Sequence, residues 1–382
     1  MEGENTLFAM FSLSEPYRSL KNRVEKFAQS YDESLDETPP LHDRLNDFAD
    51  EGLYNWLFPP EYGGSLEVEY DVLALSIIRE VLSYYGTNLD NAFISQALGG
   101  YPIYQFGNDD QKQQYLPLIA SGELLPAFAI TEPEAGSDVA SIKSRAIKKD
   151  DRYILNGEKK FISYALKADL FIVFAKTQPD EGSKGISAFV VPAHKEGIER
   201  EGHDVITEHE MANLTFKDVE VPMENRIGEE GDGMSIALRN LEIFRTTVGA
   251  AAVGMAQAAL DVSVNRVKQR SQFGKTLSKF QGIQFKIADM ATKVRSSRLM
   301  VYSAAAAKNN QTEARTETSM AKLHATERAS EVIDEAVQIF GGDGVSKGFR
   351  VEELYREIRP LLIYEGTSEI QKLIISREFL RS

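Results

Sequence analysis

The sequence predicts an α+β protein, mainly α, in which a small, mostly antiparallel β-domain lies between two helical domains. Two changes of texture along its 382 residues carry this expectation. Apolar residues recur at three- and four-residue spacing from about Tyr17 to Leu118, and short β-branched and aromatic runs follow from about Glu123 to Ile227. Longer helical patterns return from about Gly233. The domains are therefore drawn at residues 1–122, 123–232 and 233–382.

In the first zone SLKNRVEKFAQSYDESL, DVLALSIIREVLSYYG and DDQKQQYLPLIASGE read as helices, with Asp109 and Asp110 as cap candidates for the last. In the second, LLPAFAIT, RYILNGEKKFIS, ADLFIVFAKT and GISAFVVPA read as strands, and KKDDRY reads as a hairpin tip. In the third, Leu241, Phe244, Val248, Ala251 and Met255 fall on one helical face. The small residues Gly249, Ala250, Ala251, Ala252 and Gly254 allow neighbouring helices to approach closely. Ile283, Ile287, Met290 and Val294 make a second stripe.

Hydrophobic residues are 42% and charged residues 26% of the chain, as in an ordinary folded protein. Fifty-eight acidic against 43 basic residues give a net charge of −15, which disfavours nucleic acid or an anionic membrane as partner. The absence of cysteine excludes disulfides, thiolate catalysis and cysteine-ligated metals. The acidic start and broken apolar stretch at the N-terminus do not read as a signal peptide, and no window has ~18 continuous apolar residues. A soluble, cytoplasmic protein without membrane insertion is expected.

No GxGxxG opens a helix and no P-loop pattern occurs. HEMAN at His209 begins like a zinc-protease motif but has Asn213 where the second histidine belongs. The five scattered histidines read as surface or core residues, and no metal is expected. Three segments remain. ITEPEAGSD, residues 130–138, has a proline and a glycine that force an exposed loop with free N–H groups and hydroxyls, suited to a polar ring system or a phosphate. RSQFGKTLSKFQ, residues 270–281, sets Arg270 and Lys275 around Phe273 between two helices, a cation and an aromatic that suit a pyrophosphate and a stacked ring. Taken alone, the first reads more readily as a plain strand-to-loop turn and the second as an inter-helix loop with Phe273 as a hydrophobic plug. In RPLLIYEGTSEIQK, residues 359–372, Glu365 follows an apolar run and precedes Gly366 and a helix start at Thr367 or Ser368. Ser368 and Gln371 fit a capping box. Apolar neighbours would raise the Glu365 pKa and make it a base, whereas a solvent-facing loop would leave it ordinary.

AFAITEPEAGSD, QIFGGDGVSKGFRVEELYREIR and IYEGTSEIQKLIISRE, in this order, resemble the signatures of the acyl-CoA dehydrogenase family of flavoproteins, and the likeness runs over nearly the whole chain. The resemblance implies an N-terminal helical domain, a small antiparallel β-barrel and a C-terminal four-helix bundle. It implies α,β-dehydrogenation of an acyl-CoA: a glutamate takes the α-proton of the thioester and the β-hydrogen leaves as hydride to N5 of FAD. Glu365 holds the position of that base. A few relatives carry the base instead at the position of Phe244, beside Arg245. Phenylalanine cannot act as a base, and Glu242 is off-register.

By the same resemblance Phe128, Ile130, Thr131 and Ser137 match positions that line the flavin, Ser137 also touching substrate. Phe161 and Ser163 match an aromatic and a hydroxyl residue against the flavin. Arg270, Phe273, Gln281, Gln338 and Gly342 match residues that reach a neighbouring subunit's FAD. Thr367 and Glu369 match the adenosine-phosphate side. Arg245, Tyr364 and Gly366 join Ser137 as substrate contacts. A homo-oligomer, dimer or tetramer, is implied, with an electron-transfer flavoprotein as acceptor. Alternatives are a substrate held on a carrier protein, an enoyl-CoA reductase, and a non-catalytic flavoprotein scaffold. One departure stands out: where the family shows a Met-Gly-x-Arg-like stretch, this chain has Asp204 to Thr207, with Val205 and Thr207 at the glycine and arginine positions.

Overall fold

The computed structural model describes residues 13–33, 40–310 and 314–381. The first helical zone contains α1 (Tyr17–Glu33), α2 (Leu41–Asp50), α3 (Val72–Tyr85), α4 (Thr87–Phe106) and α5 (Asp109–Ala120). The first expected helix runs into residues 34 and 35, which lie outside the described residues. Helix α4 carried no sequence stripe because it is buried almost all round and has no polar face to alternate with. The cap of α5 is Asn108 rather than Asp109 or Asp110. Its Oδ1 accepts from Gln111 N–H at 2.8 Å while the Gln111 side chain accepts from Asn108 N–H at 3.1 Å.

The middle zone holds β1 (Pro126–Ala129), β2 (Arg145–Lys149), β3 (Arg152–Ser163), β4 (Leu170–Lys176), β5 (Ile186–Pro192), β6 (Ile198–Gly202), β7 (Met211–Pro222) and β8 (Arg226–Ile227). Their order is β6-β7-β3-β2-β4-β5-β8, mostly antiparallel, with β1 parallel to β4. The β2–β3 hairpin turns at Asp150, which takes φ 53°. Strands β4 and β5 read as unbroken apolar runs because both of their faces are covered. Phe171, Val173, Phe189 and Val191 face the sheet's own core, whereas Ile172, Phe174, Ala188 and Val190 pack with the N-terminal helices and Ile236. At ~2 kcal/mol for each large buried side chain, this second face fixes the sheet firmly on the helices.

The last zone holds α6 (Gly233–Gln269), a hairpin of β9 (Ser271–Gln272) and β10 (Lys275–Thr276), α7 (Gln281–Asn309), α8 (Arg315–Phe340), α9 (Arg350–Glu357) and α10 (Ser368–Leu380). The expected one-faced stripe on α6 is corrected: every residue from Ile243 to Ala256 is buried, because α3, α7 and α8 pack around it. By length and composition α6 is apolar enough to cross a membrane, yet most of it is buried inside the protein. The small residues are needed. A Cβ at Gly254 would lie 2.0 Å from the Glu80 carbonyl of α3, and one at Gly249 would lie 2.9 Å from a Val301 methyl of α7.

Candidate active site

Between α9 and α10 the chain makes a tight turn in which two successive residues are left-handed, Glu365 at φ 52° and Gly366 at φ 93°. For a residue with a side chain this conformation persists only where its surroundings fix it. Two fully buried side chains do so. Lys322 of α8 donates from Nζ to the Gly366 carbonyl at 2.9 Å, and Gln371 of α10 donates from Nε2 to the same oxygen at 2.8 Å. Thr367 caps α10, its hydroxyl accepting from Ile370 N–H at 3.3 Å. The Ser368–Gln371 capping box therefore does not form: Gln371 turns back to Gly366, and Ser368 Oγ is buried without a partner.

Glu365 is half-buried as a residue, but its Oε2 is sealed from solvent and has no hydrogen-bond partner. Burial pushes its carboxyl up to about 7, against the pull of Arg79, Lys322 and Arg245. Arg79 of α3 is itself buried and donates to both oxygens of Asp90 of α4 at 2.7 Å, and to Thr247 Oγ1 of α6 at 2.9 Å. Its guanidinium also lies beside the Tyr364 hydroxyl, which burial raises above the usual range. Arg245 of α6 donates to Ser319 Oγ of α8 at 3.2 Å and keeps a buried, unpartnered Nε. Tyr364, Glu365, Gly366, Thr367 and Arg245 thus lie together, and Glu369 is exposed at the start of α10. Sequence reasoning gave Gln371 a capping role it does not have and missed Arg79, Asp90 and Lys322. Their one signal was a polar residue set in an apolar or small-residue helical run.

A second cluster forms where β1 leaves the sheet beside β3. Lys160 N–H donates to the Thr131 carbonyl at 2.8 Å, and Lys159 Nζ donates to the Ile130 carbonyl at 3.1 Å and to Glu132 Oε1 at 2.7 Å. Burial brings the Lys159 ammonium down to about 8. Burial would raise Glu132, but Lys159 and the Lys143 N–H hold it below its ordinary value. This buried pair anchors the ITEPEAGSD loop, on which Ser137 is exposed. Phe128 packs on Phe174 with ring centres 5.0 Å apart. A bulge between Lys159 and Ile162 turns Phe161 outward at φ 60°, 45% exposed. Ser163 Oγ lies 2.8 Å from His209 Nε2. Burial, with Arg44 nearby, lowers His209 to about 4, so the imidazole is neutral, and its Nδ1 is buried without a partner. This histidine, read from the sequence as a surface or core residue and lying two residues beyond the departing Asp204–Thr207 stretch, touches a candidate site residue.

The third group is separate. Arg270 and Gly342 line a cavity of about 410 Å³ with Arg266, Gln272, Phe340 and Asp343. Gln338 is exposed one turn before, at the end of α8. Phe273, at φ 51° and 93% exposed, projects from the tip of the β9–β10 hairpin, and Gln281 is exposed at the start of α7. The possibility that Phe273 plugs an inter-helix gap is thereby overturned.

Domain signatures described as acyl-CoA dehydrogenase N-terminal, middle and C-terminal domains match residues 15–123, 127–219 and 231–380. A Bacillus subtilis (strain 168) protein named acyl-CoA dehydrogenase is 43% identical over 333 residues, covering 86% of this chain and 87% of that one. A protein of Acetobacterium woodii named caffeyl-CoA reductase-Etf complex subunit CarC is 38% identical over 88% of this chain and 89% of that one. Butyryl-CoA dehydrogenase from Megasphaera elsdenii superposes with a TM-score of 0.90 at 35% identity, over 97% of this chain and all of that one. With the helix–sheet–helix architecture and the Glu365 turn already described, these likenesses agree on one conclusion: the chain belongs to the acyl-CoA dehydrogenase family of oxidoreductases.

Proposed function

We propose that the chain catalyses FAD-dependent α,β-dehydrogenation of an acyl-CoA thioester to the trans-2-enoyl-CoA, with Glu365 as the base. The observation that carries this reading is the Glu365 carboxyl, unpartnered at Oε2, raised to about 7 and ringed by cations. The second cluster fits a flavin. Phe161 presents an outward ring, Thr131 and Ser163 would supply hydroxyls, and Phe128 and Ile130 would supply apolar contacts beside the loop that carries Ser137. The Arg270–Gly342 cavity offers a cation and glycine backbone to a pyrophosphate. A bound FAD supplies the acceptor for the β-hydride.

The protein's own part is to hold the α-carbon against a Glu365 oxygen and take its proton there. Glu365 backbone N–H serves the thioester oxygen as negative charge develops. Tyr364, Gly366 and Arg245 border the acyl group. The exposed Phe273, with Gln281 and Gln338, would reach the FAD of a second copy, making the enzyme a dimer or tetramer, and Thr367 and Glu369 would face the adenosine-phosphate side. An electron-transfer flavoprotein as acceptor is supported by the Etf complex named for the A. woodii relative. That relative's name also favours a second reading, reduction of an enoyl-CoA by the same site.

The test is anaerobic absorption spectroscopy of the wild type and Glu365→Gln, titrated with short, medium, branched and aromatic acyl-CoAs. Bleaching of the flavin band by one class, slowed ~10²–10⁴-fold in the variant, is the expected result. A chemically reduced flavin that is reoxidised only by an enoyl-CoA would favour the reductase. Bleaching unchanged in Glu365→Gln would overturn the assignment of the base.

A further inference from the structure

The Gly366 carbonyl accepts from two buried donors, and one of them is a cation. The Gln371 amide and one further neutral donor would be enough to satisfy that oxygen. An ammonium buried without a counter-ion is costly, several kcal/mol by general experience. Lys322 is nevertheless fully buried, and among the described residues it makes no salt bridge. Burial brings its ammonium down to about 8, with Arg245 of α6 pushing the same way, and the carboxylate that most strongly opposes this is Glu365, ahead of Glu369 of α10 and Glu327 of α8.

The other cations near Glu365 are differently placed. Arg79 is neutralised by two short bonds to Asp90, and Asp90 itself disfavours a charged Glu365. Arg245 is held by the neutral Ser319 on α8, and Glu242 of its own helix draws on its charge. Among the described residues, Lys322 is the cation that hydrogen-bonds the backbone of the turn that carries Glu365, whereas Arg79 reaches only the Tyr364 side chain.

We propose that Lys322 is a positioning residue with two separable duties: it holds the left-handed turn through the Gly366 carbonyl, and its buried charge is the counter-ion that keeps the Glu365 carboxylate ionised and ready to accept the α-proton. The proposal rests on Glu365 being the base. It assigns the clamp to both Lys322 and Gln371 but the charge to Lys322 alone. Removing the charge while keeping a donor should therefore make Glu365 a weaker acid, and removing only the Gln371 clamp should not.

The test compares wild type, Lys322→Gln, Lys322→Arg and Gln371→Leu. Two readouts are used: the pH dependence of kcat/KM with the best acyl-CoA, and the pH titration of the Glu365 carboxyl by infrared difference against Glu365→Gln. In Lys322→Gln the acidic limb and the infrared titration should both move up by about one pH unit or more, with activity recovering toward wild type at high pH. Lys322→Arg should restore the wild-type limb, and Gln371→Leu should lower activity at every pH without moving it. A Lys322→Gln enzyme weakened uniformly, with an unmoved infrared titration, would reduce Lys322 to a clamp and sink the proposal. Should Lys322→Gln fail to fold, Lys322→Arg with an acidic limb displaced from wild type would count against the counter-ion role. Glu365→Gln retaining full activity and the same limb would instead overturn the base assignment itself.

Discussion

Gly366 and His209 are the residues whose surroundings make the sharpest demands. A methyl on Gly366 would lie 2.5 Å from Gln371 Nε2, on a backbone at φ 93°. Gly366→Ala should therefore lower unfolding free energy by ~1–3 kcal/mol in urea titration, and cut turnover more than substrate affinity because the turn aims the base. His209 makes a prediction about pH. Its folded value is about 4 against an ordinary 6.5, so between those values the unfolded chain binds a proton that the folded chain refuses. Stability should fall as pH drops through that window, by ~2 kcal/mol from this group after allowing for its partial exposure. Denaturant unfolding of His209→Gln should show a shallower loss between pH 7 and 4 than the wild type. At this scale the sequence picked out Tyr364, Glu365 and Arg245, which the fold brings together. It was silent on Arg79, Asp90 and Lys322, because their meaning comes from partners on other helices, such as Thr247, 168 residues from Arg79.

Among the elements, the crossing of α3 and α6 leaves no room for a side chain at Gly254. Gly254→Ala places a methyl against the rigid Glu80 carbonyl at 2.0 Å, whereas Gly249→Ala meets a movable valine methyl at 2.9 Å. Thermal unfolding should rank them, Gly254→Ala losing ~2–3 kcal/mol and Gly249→Ala clearly less. The strands were readable in advance because β-branched runs between turn residues leave few alternatives. The short α2 and the buried α4 were not: α4 has no polar face, so the periodic signal on which helix reading depends is absent. The same cause hides in α6, where a one-sided stripe was expected and all-round burial was found. The cap of α5 moved to Asn108 because both expected aspartates are already inside the helix, and of the two starts read for α10 Thr367 is the cap and Ser368 the first helical residue.

For the whole molecule, the projecting Phe273 and the open cavity beside Arg270 predict that the working particle contains more than one copy. Sedimentation should show a dimer or tetramer, and Phe273→Ser should weaken FAD retention ~10-fold or more with unchanged helix content, as loss of a stacked aromatic ring would. The surroundings of Glu365 carry one more consequence. Its charge neighbours come from the consecutive helices α3 and α4, from α6 and from α8, three stretches of chain that begin far apart and meet only when the helices are fully docked. The acidity of this carboxyl is thus an internal gauge of assembly: a mutation that lets any of those helices drift detunes the reaction while the protein is still folded, and inactivation should run ahead of melting.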